Sequence, residues 1–327
     1  MALRLVCPWL RGKPQPRSCY PLHTHRRALT RIDVLVVLGI ALLLAIVFVL
    51  TFPRAREICT PRRCASNLRS AGLGMVAYGN ENDDYWPIPP HAPAVEEARG
   101  RVTYAPGKIG MHNEKADDPT GRRRREHDSN ASPPSASWPT TENDTEISPT
   151  LPLWMLVRIG VESPKELICP VSTDERYVVD YPEDVWDVES WEQISYGYQV
   201  PFGKHGQPHS DRPQEMPLAA DKGPYGVALE TGRAHPGVPT ASSQDKPKAW
   251  RPWNSPNHSY EGQNVLYADG HVEWHFTPLA GVHNDNIYTR WSDASGGTAA
   301  DETPRIHGTP PTSNETPWSD TDTLIYP

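Results

Sequence analysis

The chain has 327 residues, 37% hydrophobic and 22% charged, with a formal net charge of −8 at pH 7. That balance excludes a general nucleic-acid binder, which needs clustered cationic charge to displace counterions from a phosphate backbone. The charge is also unevenly placed: residues 1–69 carry 12 Lys/Arg against 2 Asp/Glu, whereas the remainder carries 20 against 38. A basic start that stays inside and an acidic remainder that is exported fit this division.

Residues 1–28 form a basic leader, and 29–52 read as the transmembrane half of a long N-terminal helix. Positions 34–52 hold no charge, and Thr51 is their only polar residue; roughly 17 to 25 such residues span the hydrocarbon of a bilayer. A cleavable signal has a shorter apolar core, about 7 to 15 residues, followed by a small-x-small site. Here Phe52-Pro53-Arg54-Ala55-Arg56 follows, so the segment predicts a retained anchor. Asp33 stands at its mouth, where a carboxylate either stays hydrated at the interface or pairs with an amine.

Residues 53–87 predict a continuation of the helix as a spine outside the membrane. Leu68, Ala71, Met75 and Tyr78 fall on one helical face and should pack on a head domain. Pro53 and Pro61 should kink or interrupt it. The stretch 88–150 is rich in Pro, Ser, Thr, Asn, Asp and charge; it reads as a long mobile insertion that cannot offset its ordering entropy. Its Arg122 to Arg125 run reads as a solvated loop.

The head is placed at 151–290. Residues 151–160 predict a short amphipathic helix ending at Gly160, 166–170 enter the core, and 194–200 alternate as a half-buried strand. Asp269-Gly270 between two alternating runs predicts a hairpin with a two-residue turn. Counting outward pairs Ala268 with His271, Tyr267 with Val272, Leu266 with Glu273 and Val265 with Trp274. Val265, Tyr267, Val272 and Trp274 would then share an apolar face, with His271, Glu273 and His275 on the other. Residues 291–327 read as a polar tail. The expected fold class is α+β, a long helix packed on an antiparallel sheet.

Cys7 and Cys19 fall in the leader, and Cys59, Cys64 and Cys169 beyond the span. A Cys64–Cys169 bridge would pin the spine to the head and close a long loop; three buried free thiols are the alternative. No zinc-ribbon spacing is present. His271, Glu273 and His275, with His258 nearby, are weak candidate ligands for zinc. Asp269, Asp285 and Asp293 are scattered oxygen ligands for calcium. No cofactor and no catalytic residue is assigned, since nucleophile-elbow, HExxH and phosphate-loop patterns are missing. His258 reads as a loop histidine bonded to a carbonyl or carboxylate.

The basic leader ending at Ala28, then Leu29-Thr30-Arg31-Ile32-Asp33 and the apolar run, resembles the N-terminus of type IV prepilins and type II secretion pseudopilins. The resemblance implies processing between Ala28 and Leu29, N-methylation of Leu29, and an assembly role for Asp33 toward a neighbour's terminal amine. Ala28 replaces the usual Gly, and Asp33 the usual Glu. A second likeness lies in His258 and Asp269-Gly270, which resemble the His, nine-residue spacer and Asp-Gly motif of a large bacterial prepilin-type family; here ten residues intervene. Cys64-Ala65-Ser66-Asn67-Leu68-Arg69, Ser195-Tyr196-Gly197-Tyr198-Gln199, Ala220-Asp221-Lys222-Gly223-Pro224 and Asp285-Asn286-Ile287-Tyr288-Thr289 resemble further patches of such proteins. The family implies a single-pass inner-membrane protein with a cytoplasmic N-terminus, a periplasmic β head, and no established enzymatic activity. Its implied partners are prepilin peptidase and other pseudopilins. The competing expectation is a tethered metal- or ligand-binding, hydrolytic head that does not assemble.

Overall fold

The computed structural model describes residues 31–87, 103–104, 146–180, 182, 185, 187–201, 205–206, 209–226, 236–291, 305–311 and 316–326. The leader with Ala28 and Leu29, most of the 88–150 insertion and Asp293 lie outside them. The chain divides into two units, residues 1–54 and 55–327.

Helix α1, Arg31–Glu81, belongs to both units. In the first unit its Arg31–Phe48 stretch is long and apolar enough to cross a membrane, with Asp33 in the first turn. In the second unit Cys64, Leu68, Ala71 and Met75 are buried on one face while Leu73 and Val76 stay exposed on the other. The four buried positions recur at three- and four-residue steps, the period of one helical face.

Two expectations about this helix need correction. It is not interrupted at Pro53 or Pro61; a proline removes one backbone donor, and buried Cys64 and Leu68 hold the turns after Pro61. It also stops at Glu81, short of residue 87. Asp83 and Asp84 take positive φ, the Asp84 N–H turns back to the Gly79 carbonyl, and Asn82 Nδ2 donates to the Tyr78 carbonyl, which closes the helix with left-handed residues.

The head carries a five-stranded antiparallel sheet of order β6-β5-β4-β3-β7, with β3 at Tyr196–Gln199, β4 at Pro217–Asp221, β5 at Gln263–Tyr267, β6 at Val272–His275 and β7 at Ile325–Tyr326. Pro217 opens β4 beside an irregularity in the β4–β5 register, a position where a central strand tolerates a missing donor. Two cores flank the sheet. On one side Tyr196, Tyr198 and Leu266 pack with the buried stripe of α1. On the other Val265, Tyr267 and Ile325 pack with Trp250, Trp253, Ile287 and Tyr288. Gly72 lets α1 approach the sheet, since a Cβ there would stand 2.8 Å from Leu266 Cδ1.

Helix α2, Leu151–Arg158, is buried from Leu151 to Val157, so it is a core helix rather than an amphipathic one. It ends as expected near Gly160, whose φ is +76°; the Val161 and Gly160 amides bond back to Leu156 and Val157, a C-terminal cap that glycine makes cheap. A small separate pairing joins β1, Thr103–Tyr104, in parallel to β2, Glu146–Ile147.

Parts of the insertion and of the tail are built into the head. Ser148 and Thr150 are buried, and the Thr150 hydroxyl donates to Asp187 Oδ1 at 2.6 Å. In the tail, β7 completes the sheet against β3, and Leu324, Ile325 and Tyr326 are buried. Asp322 and Asp285 are also buried there; burial, and then the neighbouring Asp322 charge, push the Asp285 carboxyl well above its ordinary range. The head therefore extends past residue 290.

The hairpin register also differs from the expected one. Leu266 faces Val272, Val265 faces Glu273, Asn264 faces Trp274 and Gln263 faces His275. The loop has three residues, Ala268-Asp269-Gly270: the Gly270 N–H bonds the Tyr267 carbonyl, the Tyr267 N–H bonds the His271 carbonyl, and only Gly270 takes a positive φ, +85°. Asp-Gly suits this turn with a glycine bulge as well as it suits a two-residue turn. One residue of slip exchanges the faces of β6. Val272 and Trp274 now share a side with Leu266, while His271, Glu273 and His275 lie on the side of Tyr267 and Val265.

Two outcomes test this packing. Ile325→Ala should lower unfolding free energy by about 2–4 kcal/mol, read by chemical denaturation, because β7 carries a buried core side chain; an unchanged midpoint would detach the tail from the head. Glu162, buried below α2, has its carboxyl pushed up to about 7, chiefly by burial, with the Ser70 hydroxyl opposing and Glu166 adding. A folded-state pKa above the unfolded value means that the contribution of this carboxyl to stability is fully present below about pH 4.5 and is lost as pH rises through about 7. Glu162→Gln should remove that slope and raise stability at pH 8 by about 1–3 kcal/mol, measured as denaturation midpoints across pH.

Candidate functional site

A buried polar cluster lies where α1, β4, β5 and the loop before β5 meet. Cys64 from α1 and Cys169, 105 positions further along the chain, are joined in a disulfide with Cα atoms 5.2 Å apart. This is the pair expected to pin the spine to the head, and both sulfurs are shut off from solvent.

His258 reaches the same place through a built loop. Ser255 Oγ caps the short turn Pro256–His258 by accepting the Asn257 N–H. The Ser255 N–H donates to Gln263 Oε1, whose amide nitrogen donates to the Thr277 carbonyl. Asn254 Nδ2 donates to the carbonyls of Tyr260 and Phe276. Ser259 and Tyr260 then take positive φ to turn the chain into β5, and Gly262 fits under β6 where a Cβ would collide with the His275 carbonyl and the Trp274 ring. Side-chain amides and hydroxyls thus replace the ladder bonds that a loop lacks.

Asp221, the last residue of β4, is the hub. Its Oδ2 accepts the Asn264 N–H at 2.7 Å and Asn264 Nδ2 at 3.0 Å, and Oδ1 accepts Asn257 Nδ2 at 3.3 Å. His258 Nε2 lies 3.0 Å from Oδ2; a carboxylate at that distance assigns the proton to Nε2. The same nitrogen is 3.7 Å from Cys169 Sγ. The Trp274 ring meets the imidazole edge to face, centroids 5.0 Å apart. Asp221 has no solvent exposure and His258 9%.

Lys222 points into a second network. Its Nζ bonds Asp174 Oδ1 at 2.7 Å and the carbonyls of Ile194 and Trp191. Ser195 Oγ donates to the other Asp174 oxygen at 2.6 Å. Asn257 Nδ2 donates to the Ser195 carbonyl at 2.6 Å as well as to Asp221, so the two networks are continuous.

The two halves of the His258/Asp269-Gly270 motif do separate work. His258 bonds the buried carboxylate of Asp221, whereas Asp269 is in the hairpin turn, accepting the His271 N–H at 3.0 Å and facing the His271 ring. That backbone bond, above all, holds the Asp269 carboxyl below its usual range. Gly270 supplies the left-handed residue of the turn.

Of the weak metal candidates, His271, Glu273 and His275 share one face of β6 and its turn, and His275 Nε2 lies 3.7 Å from Glu273 Oε2, but His258 is on the other face. His271 stacks on Tyr267 at 4.4 Å and His275 Nε2 meets the Tyr267 hydroxyl at 2.8 Å, while His258 packs on Trp274 across β6. Burial chiefly lowers the His275 pKa. Asp285 is spent on the Trp291 indole N–H and the Thr323 N–H. Among the described residues, the one grouping of three or more acidic, His or Cys ligands is Cys64, Cys169, Asp221 and His258, whose ligand atoms lie within 4.8 Å of one another.

Sequence reasoning singled out His258, Cys64 and Cys169 but gave Asp221 no role and passed over Asn257 and Asn264. The available signals were a charged pair closing the apolar run Leu218-Ala219-Ala220, and a polar residue at a core-facing strand position. Compared with known protein families, with characterised proteins and with solved structures, the chain matches none.

With its sulfurs bonded, the cluster is a crosslink beside a buried, satisfied His–Asp pair, and it makes no nucleophile. Asp221→Ala should cost about 3–5 kcal/mol, because it strands His258 and the Asn264 donors in a dry core. Removing the bridge by Cys64→Ser with Cys169→Ser should cost about 2–5 kcal/mol. Denaturation of the two variants and their combination should show non-additive losses; additive losses would mean that the pair and the bridge are independent.

Proposed function

We propose that this chain is a membrane-anchored, pilin-like structural or interaction protein of a type II secretion- or type IV pilus-related system, with its head exported to the periplasm and no catalytic activity. The observation that carries this reading is the division of labour along α1. Its first half presents an exposed apolar stretch over Arg31–Phe48, free of charge from Val34 onward, and its second half buries Cys64, Leu68, Ala71 and Met75 in the head. A helix of that kind is an anchor at one end and a core element at the other. The buried disulfide suits an oxidising compartment on the head's side, and the acidic balance of residues 70–327 suits export.

On this reading Ala28 precedes the processing point, Leu29 becomes the mature amino terminus, and Asp33 faces a neighbouring subunit's amine at the membrane interface. The relevant partners are the inner membrane, prepilin peptidase and other pseudopilins.

Intact-mass and N-terminal peptide analysis of protein recovered from membranes of cells carrying a prepilin peptidase tests it. The expected species begins at N-methylated Leu29. A chain that keeps its leader would overturn the assembly role and leave a permanently tethered head.

A further inference from the structure

We propose that the Cys64–Cys169 disulfide occupies a latent zinc site: when the bridge is reduced, Cys64, Cys169, His258 and Asp221 bind one Zn2+ in a closed tetrahedral centre. A structural zinc centre takes four ligands drawn from thiolate, imidazole and carboxylate, with bonds near 2.3 Å to sulfur and near 2.0 Å to nitrogen or oxygen. Those bond lengths place neighbouring ligand atoms roughly 3.3–3.8 Å apart. In the structure His258 Nε2 is 3.7 Å from Cys169 Sγ and 3.0 Å from Asp221 Oδ2, and all four ligand atoms fall within 4.8 Å. One nitrogen thus faces both sulfur and oxygen, as ligands converging on a single ion do. In a catalytic relay the two ring nitrogens would divide those contacts. The sulfur–sulfur edge must lengthen, and reduction lengthens it; the Nε2–Oδ2 edge at 3.0 Å need open by only about 0.3 Å.

The surroundings also suit a centre of this kind. Asn264 holds Asp221 Oδ2 through its backbone and side-chain N–H groups, and Asn257 holds Oδ1. Partners of this type orient metal ligands and raise affinity about 10–100-fold. Leu68, Leu167, Ile194 and Leu266 belong to the buried apolar cluster that contains both cysteines. That cluster keeps out water that would otherwise compete for the ion.

The chemistry balances in two steps. A dithiol reductant transfers two electrons and two protons to the bridge, breaking the S–S bond, giving two thiols and itself becoming a disulfide. Zn2+ then displaces both thiol protons, and the single proton of the neutral His258 ring moves from Nε2 to Nδ1, so that Nε2 is free to bind the ion. Binding therefore weakens in acid. An oxidant that reforms the bridge expels the ion. The cluster would join α1 to the loop at Cys169 by a covalent bond when oxidised, and to that loop and β4 by a metal when reduced, so the inference holds on either side of a membrane.

The test uses the full chain in detergent with Cys7→Ser, Cys19→Ser and Cys59→Ser, so that only the two relevant sulfurs remain. It is incubated with Co2+ or Zn2+ with and without a phosphine reductant, without oxygen. The expected result is one ion per reduced chain and none per oxidised chain, with thiolate-to-cobalt charge transfer and the intense visible bands of tetrahedral Co2+. X-ray absorption of the zinc form should show two sulfurs and two nitrogen or oxygen ligands, including imidazole scattering. Asn264→Ala should weaken binding about 10–100-fold with the sulfur count unchanged. No ion on the reduced chain, equal binding to the oxidised chain, or two sulfurs without imidazole would each overturn the proposal. Because the unsubstituted ligand set decides the result, variants that fail to fold do not obscure it.

Discussion

The buried carboxylate of Asp221 is the constraint on which the head depends. A charge without solvent is tolerated only when its lone pairs are filled, and here the fillers come from the loop before β5 and from β5 itself: Asn257, His258 and Asn264. Satisfying one group therefore fixes a loop and the start of a strand. The Tyr288 hydroxyl donates to the Asp221 carbonyl at 2.7 Å, which draws the opposite core to the same residue. Trp274 on β6 packs against His258, so the edge strand is tied in as well.

That polar centre sits beside the Cys64–Cys169 disulfide, which ties α1 to a distant loop of the head. Apolar packing of Leu68, Ala71 and Met75 is non-directional and tolerates sliding; a disulfide at Cys64 and the close approach at Gly72 do not. Together they set the axial position of the helix on the sheet.

Legibility from sequence followed the range of the interaction. The α1 stripe was readable because Leu68, Ala71 and Met75 repeat with the helical period, and the end of α2 because Gly160 is a local signal. The hairpin was located by Asp269-Gly270, but its register was not, since those residues fit both a two-residue turn and a three-residue turn with a glycine bulge. β7 escaped notice because Leu324, Ile325 and Tyr326 form too short a run inside a polar tail. The role of Asp221 escaped because its partner Asn264 is 43 positions away and neither residue carries a pattern alone.

The separation of His258 from Asp269-Gly270 changes what such a motif means physically. A histidine and an Asp-Gly at fixed spacing suggest one site, yet the spacing here is the length of chain needed to leave the buried centre, traverse β5 and turn. His258 must reach Asp221, Asn264 must pair beside it, and five strand residues from Gln263 to Tyr267 must elapse before the hairpin can form. An insertion or deletion within 259–268 would move either the histidine or the turn by one residue, and in a strand one residue reverses which side chains face the core. The spacer is therefore constrained by strand geometry at one end and by a buried charge at the other, without either end acting on a common ligand.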